Sequence, residues 1–456
     1  MLNRLGTIAH DLALAPPTED AVRFCAAGAL PSAFAVTEIA AVSIAAAGIA
    51  IADLLEQQTG EYPSVQVDRR LSAFWFASSL RPRGWQVPPL WDPIAGDYQT
   101  RDGWIRLHTN APHHRAVAER VLGPASDREA MARQVLGWSA GELEDAIVES
   151  GGCAAQMRGC QDWSNHPQGL AVNAEPLIHR QTFASDSRSL WTGNPGRPLA
   201  GVRVLDLTRI LAGPTATRLL AGFGADVLRI DPPGWDEPGV AAEVTLGKRC
   251  ARLDLHSTAD RAVFERLLSE ANILIHGYRA DALERLGYGD EQRRRLNPGL
   301  IDVSLNAYGW TGPWRLRRGF DSLVQMSTGI AREGMRWQQA SRPVPLPVQA
   351  LDHATGYLMA AAAIRGLSER LASGAGSQAR LSLARTAKWL VEQGTVSADL
   401  PLAAETVDDL DAWPEHTAWG PARRLKPPLL VTGAPLKWDR PASGLGSVEA
   451  GWSDSC

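Results

Sequence analysis

Hydrophobic and polar positions are ordered most clearly between Pro198 and Pro232, PLAGVRVLDLTRILAGPTATRLLAGFGADVLRIDP. Gly201–Leu207 is a short, β-branched apolar run, which predicts a strand buried on both faces. Thr215–Phe223 carries apolar residues at helical spacing, and Gly224 closes that helix. Asp226–Ile230 reads as a second buried strand. Strand, turn, helix and strand make one right-handed βαβ unit, which takes ligands at the carboxyl ends of its strands. The alternation runs on. Cys250–Leu255, Ile273–His276 and Leu300–Leu305 read as strands. Thr258–Glu270, Ala280–Leu286, Glu291–Leu296 and a long stretch, Ala354–Arg370, read as helices.

Upstream the pattern is mixed. A helix is expected near Glu19–Ala29, and an alanine-rich one over Phe34–Gln58, stopped by Thr59-Gly60. Ser64–Asp68 alternates as a strand does, and Arg69–Leu80 reads as helical with Trp75. Ile39–Ala52 is apolar, but it is shorter than the roughly 20 residues of a bilayer span. Glu38 and Asp53 bracket it, so it reads as a core helix. Tyr98–His108 predicts a hairpin turning at Asp102-Gly103. Three amphipathic helices follow, at His113–Leu122, Asp127–Leu136 and Ala140–Ser150.

Phe34–Trp75 and Val348–Trp389 share one layout. Each has an acidic residue, an alanine-rich helix, a Thr/Ser-Gly stop, a strand and a tryptophan. At constant offset Gly60 meets Gly374, Trp75 meets Trp389 and Glu38 meets Asp352. The expected organisation is a partial repeat of the large-domain core (1–84), a small α+β domain (85–180), and a linker (181–197). A large α/β domain (198–390) and a Pro- and Trp-rich tail packed on the core (391–456) complete it.

Composition narrows the function classes. The chain has 456 residues, enough for two or three domains, and a net charge of −4 with no basic block. Nucleic acid is therefore not an expected partner, and neither is a membrane. Five cysteines form no CxxC, and no leader pattern stands at the N-terminus, so a reducing cytoplasm is the expected setting. His108, His113 and His114 have no carboxylate at ligand spacing, and read as surface or capping residues rather than a metal site. A dinucleotide fingerprint needs G-x-G-x-x-G after the first strand, whereas the turn here is DLTRILAGP.

Five stretches agree in order and spacing with one family. They are GVRVLDLTRILAGPTATRLLAGFGADVLRID, TLGKRCARLDL, ILIHGYRADALERLGYG, LNPGLIDVSLNAYGWTGP, and the segment around PVQALDHATGYLMAAAA. Together they resemble the family III CoA-transferases (CaiB/BaiF type), whose relatives include formyl-CoA and carnitine CoA-transferases and α-methylacyl-CoA racemase. The resemblance implies a Rossmann-like parallel-sheet large domain plus a small α+β domain, here in rearranged, partly duplicated order. It implies an acyl-CoA and a carboxylic acid as substrates, no metal, and a homodimer.

The resemblance places Asp352 at the catalytic aspartate. That carboxylate forms an acyl anhydride and then an aspartyl-CoA thioester. On position alone, Asp352 reads rather as the cap of the following helix; the motif favours the nucleophile. CoA contacts fall, by resemblance, on Leu211, Ala212, Lys248, Arg249, Gly277, Tyr278 and Arg285, with Asp321 beside the site. Arg or Lys near strand ends would pair with the phosphates of CoA; a solvated surface charge is the competing reading of each. Arg229 is the candidate substitute for an arginine that formyl-CoA transferases carry where Pro232 stands. They also carry glutamine where Leu211 stands. Backbone N–H groups at the first turn or at Gly329 are candidate oxyanion donors. Two alternatives stay open. One is a racemase or epimerase, opposed by Phe320, where racemases have histidine. The other is a catalytically silent CoA-binding paralogue.

Overall fold

Ile273–His276 and Ile301–Asn306 are buried at every position, as strands covered on both faces must be. They lie at the middle of a seven-stranded sheet in a computed structural model that describes residues 1–395 and 400–453. Residues 396–399 and 454–456, Cys456 among them, lie outside that description. Across the sheet the order is Arg249–Arg252, Asp226–Asp231, Arg203–Leu207, Ile273–His276, Ile301–Asn306, Gly376–Ser382 and His179–Phe183. All but the last run parallel. The break in strand order beside Arg203–Leu207 opens a crevice at the carboxyl ends.

Two long helices form the main core. Val36–Thr59 and Ala350–Ser373 each have 24 residues, pack side by side, and end on left-handed glycines, Gly60 and Gly374, both at φ 80°. Each is followed by a strand and then by a side-chain-capped helix. The Asp68 carboxylate accepts from Leu71 N at 2.8 Å, and the Ser382 hydroxyl from Arg385 N at 3.1 Å. The strands around them also correspond. Val22–Cys25, Val65–Asp68 and Leu429–Val431 form a parallel-then-antiparallel trio. Ile301–Asn306, Gly376–Ser382 and His179–Phe183 form the same trio within the large sheet. Val36–Thr59 is long and apolar enough to cross a membrane, yet it is buried in the core along most of its length.

Ala350–Ser373 also crosses Ala212–Gly222 closely. A Cβ on Gly356 would lie 2.3 Å from the Ala212 carbonyl oxygen, so only glycine permits the approach. The small α+β unit is an antiparallel sheet of Gly96–Gln99, Trp104–Leu107 and Ala154–Gln156. Pro112–Leu122, Arg128–Val135 and Ala140–Glu149 cover it around Ile105, Met131 and Leu143.

The structure corrects the reading at three places. Residues 19–29 hold no helix: Val22–Cys25 is a strand paired to Val65–Asp68, and the helix lies earlier, at Leu2–Asp11. Four residues are too few for a visible period, and tertiary pairing outweighs local propensity. The linker begins inside an edge strand, His179–Phe183, whose polar, exposed residues conceal it. The tail contributes Glu415–Thr417, Gly420–Arg424 and Leu429–Val431, which pair with one another or with residues 80–82 and 65–67.

One buried ion pair links the sheet to its first turn. Lys248 Nζ lies 3.0 Å from Asp206 Oδ2 and donates to the Pro214 carbonyl at 3.1 Å, with both charged side chains fully enclosed. Removing one partner strands the other charge in a low dielectric. Lys248→Met is expected to lower unfolding stability by about 3–5 kcal/mol in denaturant titration. Adding Asp206→Leu recovers part of that loss, and a neutral single variant would contradict the assignment.

Candidate active site

The long helix begins at Ala350, so Asp352 sits in its first turn rather than before it, and Gln349 is the cap. The capping carboxylate comes from elsewhere. Asp321 Oδ2 accepts from Leu351 N at 2.9 Å and Asp352 N at 3.0 Å, while its Oδ1 accepts from the Gln325 amide. Asp321 thus satisfies two of the free N–H groups of the helix start. Asp352 is 7 % exposed. Its carboxyl group faces a cavity of about 310 Å³ and makes no hydrogen bond among the described residues.

These two carboxyls set each other's charge. Burial raises both, and the negative charge of Asp321 raises Asp352 further, well above the usual carboxylate range. Asp321, with three N–H donors, rises only to about 6. It is therefore the ionised member, and Asp352 holds the pair's proton.

The floor of the cavity is the first turn, 208–213. Asp206 Oδ1 accepts from Thr208 N at 2.9 Å and Thr208 Oγ1 at 2.5 Å, and its Oδ2 accepts from Thr217 Oγ1 at 2.6 Å. Ile210 stands at φ 66°, a left-handed conformation that a β-branched residue rarely adopts. Its N–H donates to Glu237 Oε2 at 3.0 Å, and Glu237 Oε1 is paired with Arg229 at 2.5 Å. Such strain persists only where the surroundings impose it, and clusters at functional sites.

The mouth is cationic and aromatic. Arg209 lies over Trp235 at 4.3 Å and Tyr278 at 4.8 Å, and Arg279 stands beside them. The small unit reaches over from the same chain with His113 and His114. Phe320 lines the opposite side, its ring stacked on His108 at 3.8 Å. Burial pushes His108 and His114 down to about 3, so both are neutral. Burial, then the charges of Arg318 and Arg209, hold His113 below its usual range.

Asp352, Ala212, Gly277 and Tyr278 come together around this cavity, with Asp321 directly behind. The remaining candidates do not reach it. Leu211 packs underneath with Val240 and Val244. Arg229 and Lys248 are enclosed in internal ion pairs, with Asp231 and Glu237 for the first and Asp206 for the second. Arg249 starts its strand, so it sits at the amino end of the sheet, 3.7 Å from Asp226. Arg285 is exposed and paired with Asp281 at 2.6 Å. Gly329, at φ 90°, packs against the backbone of Cys160. Arg209, Arg279, Arg318, Trp235 and His113 were not anticipated. Arg209 and Arg279 follow two strand ends by a few residues, which was the available signal. Nothing local marks His113. No cluster of three or more His, Cys, Asp or Glu is placed to hold a metal among the described residues.

Comparison with known proteins is concordant. Residues 199–413 match the model of CoA-transferase family III. An acyl-CoA transferase of Gibberella moniliformis is 27% identical over 313 residues, which is 63% of this chain and 54% of that protein. The probable fatty acyl-CoA transferase Rv3272 of Mycobacterium tuberculosis is 33% identical over 197 residues, 40% of this chain and 50% of that one. The mouse succinyl-CoA:glutarate CoA-transferase is 31% identical over 208 residues, 41% and 47% of the two chains. The chain thus spans about half the length of the curated relatives it matches. The crystal structure of Rv3272 aligns with 44% of this chain and 59% of its own, at TM-score 0.39 and 29% identity. The match to CoA-transferase family III spans residues 199–413, the stretch that holds the sequence motifs and the large α/β sheet.

Proposed function

We propose that the protein transfers CoA between an acyl-CoA and a free carboxylate, with Asp352 as the nucleophile. The observation that carries this reading is a carboxyl group bordering the cavity, free of hydrogen bonds and backed by a second, capped carboxyl. Asp352, once ionised, attacks the thioester carbonyl and expels CoA thiolate, leaving an acyl-aspartyl anhydride. The thiolate attacks the aspartyl carbonyl, and the first carboxylate departs. An acceptor carboxylate then attacks the aspartyl-CoA thioester and expels thiolate again. Attack of that thiolate on the new acyl carbonyl releases acyl-CoA and restores Asp352. Each step exchanges one acyl bond for another and needs no metal and no redox partner.

Within this reading, Ala212, Gly277 and Tyr278 border the pantetheine path, and Arg209 and Arg279 supply cations for CoA phosphates. Trp235, Tyr278 and Phe320 present apolar faces to the chain of the substrate. His113 and His114, which belong to the same chain as Asp352, border the same cavity. Relatives act on acyl donors as different as fatty acyl-CoA and succinyl-CoA by name, and the donor and acceptor here are left to a substrate panel.

Two measurements test the reading. Incubation with acyl-CoA, followed by hydroxylamine and mass spectrometry, is expected to leave a hydroxamate on Asp352 alone. Asp352→Asn is expected to slow exchange about 10³-fold or more. Exchange undiminished in that variant overturns the nucleophile. Uptake of solvent deuterium at Cα without exchange points to the racemase instead.

The pH profile tests the carboxyl pair. Because Asp352 must lose a proton held well above its usual range, kcat/KM is expected to go on rising with pH above the range in which ordinary carboxylates titrate. Asp321→Asn removes the charge that opposes that ionisation. The acid limb is then expected to shift to lower pH, with the maximum rate less affected. A limb that stays in place shows that Asp321 does not set the charge of Asp352.

A further inference from the structure

A second, larger cavity of about 600 Å³ opens at the carboxyl ends of Ile273–His276 and Ile301–Asn306. The 277–281 segment separates it from Asp352, and Arg279 borders both cavities. The proposed reaction does not use it, although His276, Arg279, Asp281, Glu284 and Ser304 of its lining fall within two of the family motifs. Six arginines border it, Arg279, Arg293, Arg294, Arg295, Arg315 and Arg380, against four carboxylates, Asp281, Glu284, Asp290 and Glu291.

The pairing inside is incomplete. Arg279 binds Asp281 at 2.6 Å, and Arg295 binds Glu291 at 3.1 Å. Asp290 is divided between two arginines, Arg293 at 2.8 Å and Arg380 at 2.5 Å. Behind them Asp302 holds Arg293 at 2.6 Å and His276 at 3.1 Å. Arg294 and Arg315 form no ion pair among the described residues, and Nε of Arg380 is buried without a hydrogen-bond partner. Arginine is rarely enclosed without an anion, because its planar fork is built to bind oxygen pairs.

We propose that this cavity is a second anion site for a small, multiply charged phosphate compound of the pyrophosphate class, separate from the site of CoA. The volume exceeds what a single halide needs. The lining is too polar for an acyl chain. Arg380 is held on one side by Asp290, which leaves its Nε without a partner, whereas Arg293 is engaged at all three nitrogens by Asp302, Asp290 and the Tyr288 carbonyl. Arg294, half-buried and lying over the Phe183 ring at 4.5 Å, and Arg315, exposed, carry charge that no ion pair neutralises among the described residues.

The test is calorimetric titration of the full chain with pyrophosphate, alone and with saturating CoA, for the wild type, Arg315→Ser and Arg294→Gln. Saturable binding in both conditions is expected, weakened about tenfold in each variant. Acyl exchange in the variants is expected to be unchanged, and because binding is read without turnover, the outcome is independent of whether Asp352 is the nucleophile. Competitive displacement of pyrophosphate by CoA overturns the proposal, since the cavity then belongs to the substrate. So does a lack of saturable binding, or affinity that the variants leave unaltered.

Discussion

The structure depends on one buried carboxylate, Asp321. It accepts the first free N–H groups of the Ala350–Ser373 helix, and so fixes where that helix starts and which way Asp352 points. Two acids in one enclosed place cannot both ionise freely. The N–H donors settle the contest in favour of Asp321. Asp352 is left neutral and, among the described residues, without a hydrogen bond, as the proposed nucleophilic role requires. The cations at the mouth act on the same balance. In the proposed reaction, a negatively charged substrate would meet Arg209 and Arg279 already in place at the mouth.

Distant parts of the chain hold the back of that helix. Phe76 lies against His353 at 5.2 Å and Tyr357 at 6.0 Å, one and five residues beyond Asp352. Trp75 stacks on Trp438 at 5.4 Å, with Arg218 over its other face at 4.7 Å. Glu243 gathers Arg218, Arg424 at 3.2 Å and the Ser79 hydroxyl at 2.7 Å, joining the first segment, the large sheet and the tail. Burying so many charges adds little net stability, but breaking any one pair is expensive. The network therefore specifies an arrangement more than it strengthens one. His353, its Nε2 enclosed without a partner, is the unresolved polar group at this junction.

Much of the fold was legible in the amino-acid order because the large sheet is covered on both faces. Its strands read as unbroken apolar runs, and Gly60, Gly224 and Gly374 mark helix ends that only a residue without Cβ tolerates easily. Asp352 was legible through its motif. The basic residues were not. Arg229, Lys248 and Arg249 lie in or beside strands, where one step along the chain moves a side chain to the other face. Strand direction then decides which end of the sheet it serves. Arg249 opens its strand and so lies at the wrong end. Arg229 points into the protein, where its pairing with Glu237 holds the strained turn at Ile210 in place. Arg209 and Arg279 belong to loops past the strand ends, where no periodicity marks position. The edge strand at 179–183 was hidden by its polarity, and Val22–Cys25 by its brevity.

The antiparallel pairing of Leu429–Val431 with Val65–Asp68 has a temporal side. The opening segment carries one of the most apolar helices of the chain, yet its small sheet lacks a strand until more than three hundred further residues have left the ribosome. Local hydrophobic structure thus forms early and is sealed late, the situation of high contact order, in which closure waits on distant chain. During that interval the Val36–Thr59 helix has neither its long partner nor its covering strand. The late strand Leu429–Val431 is thus the one that completes the sheet of the first segment.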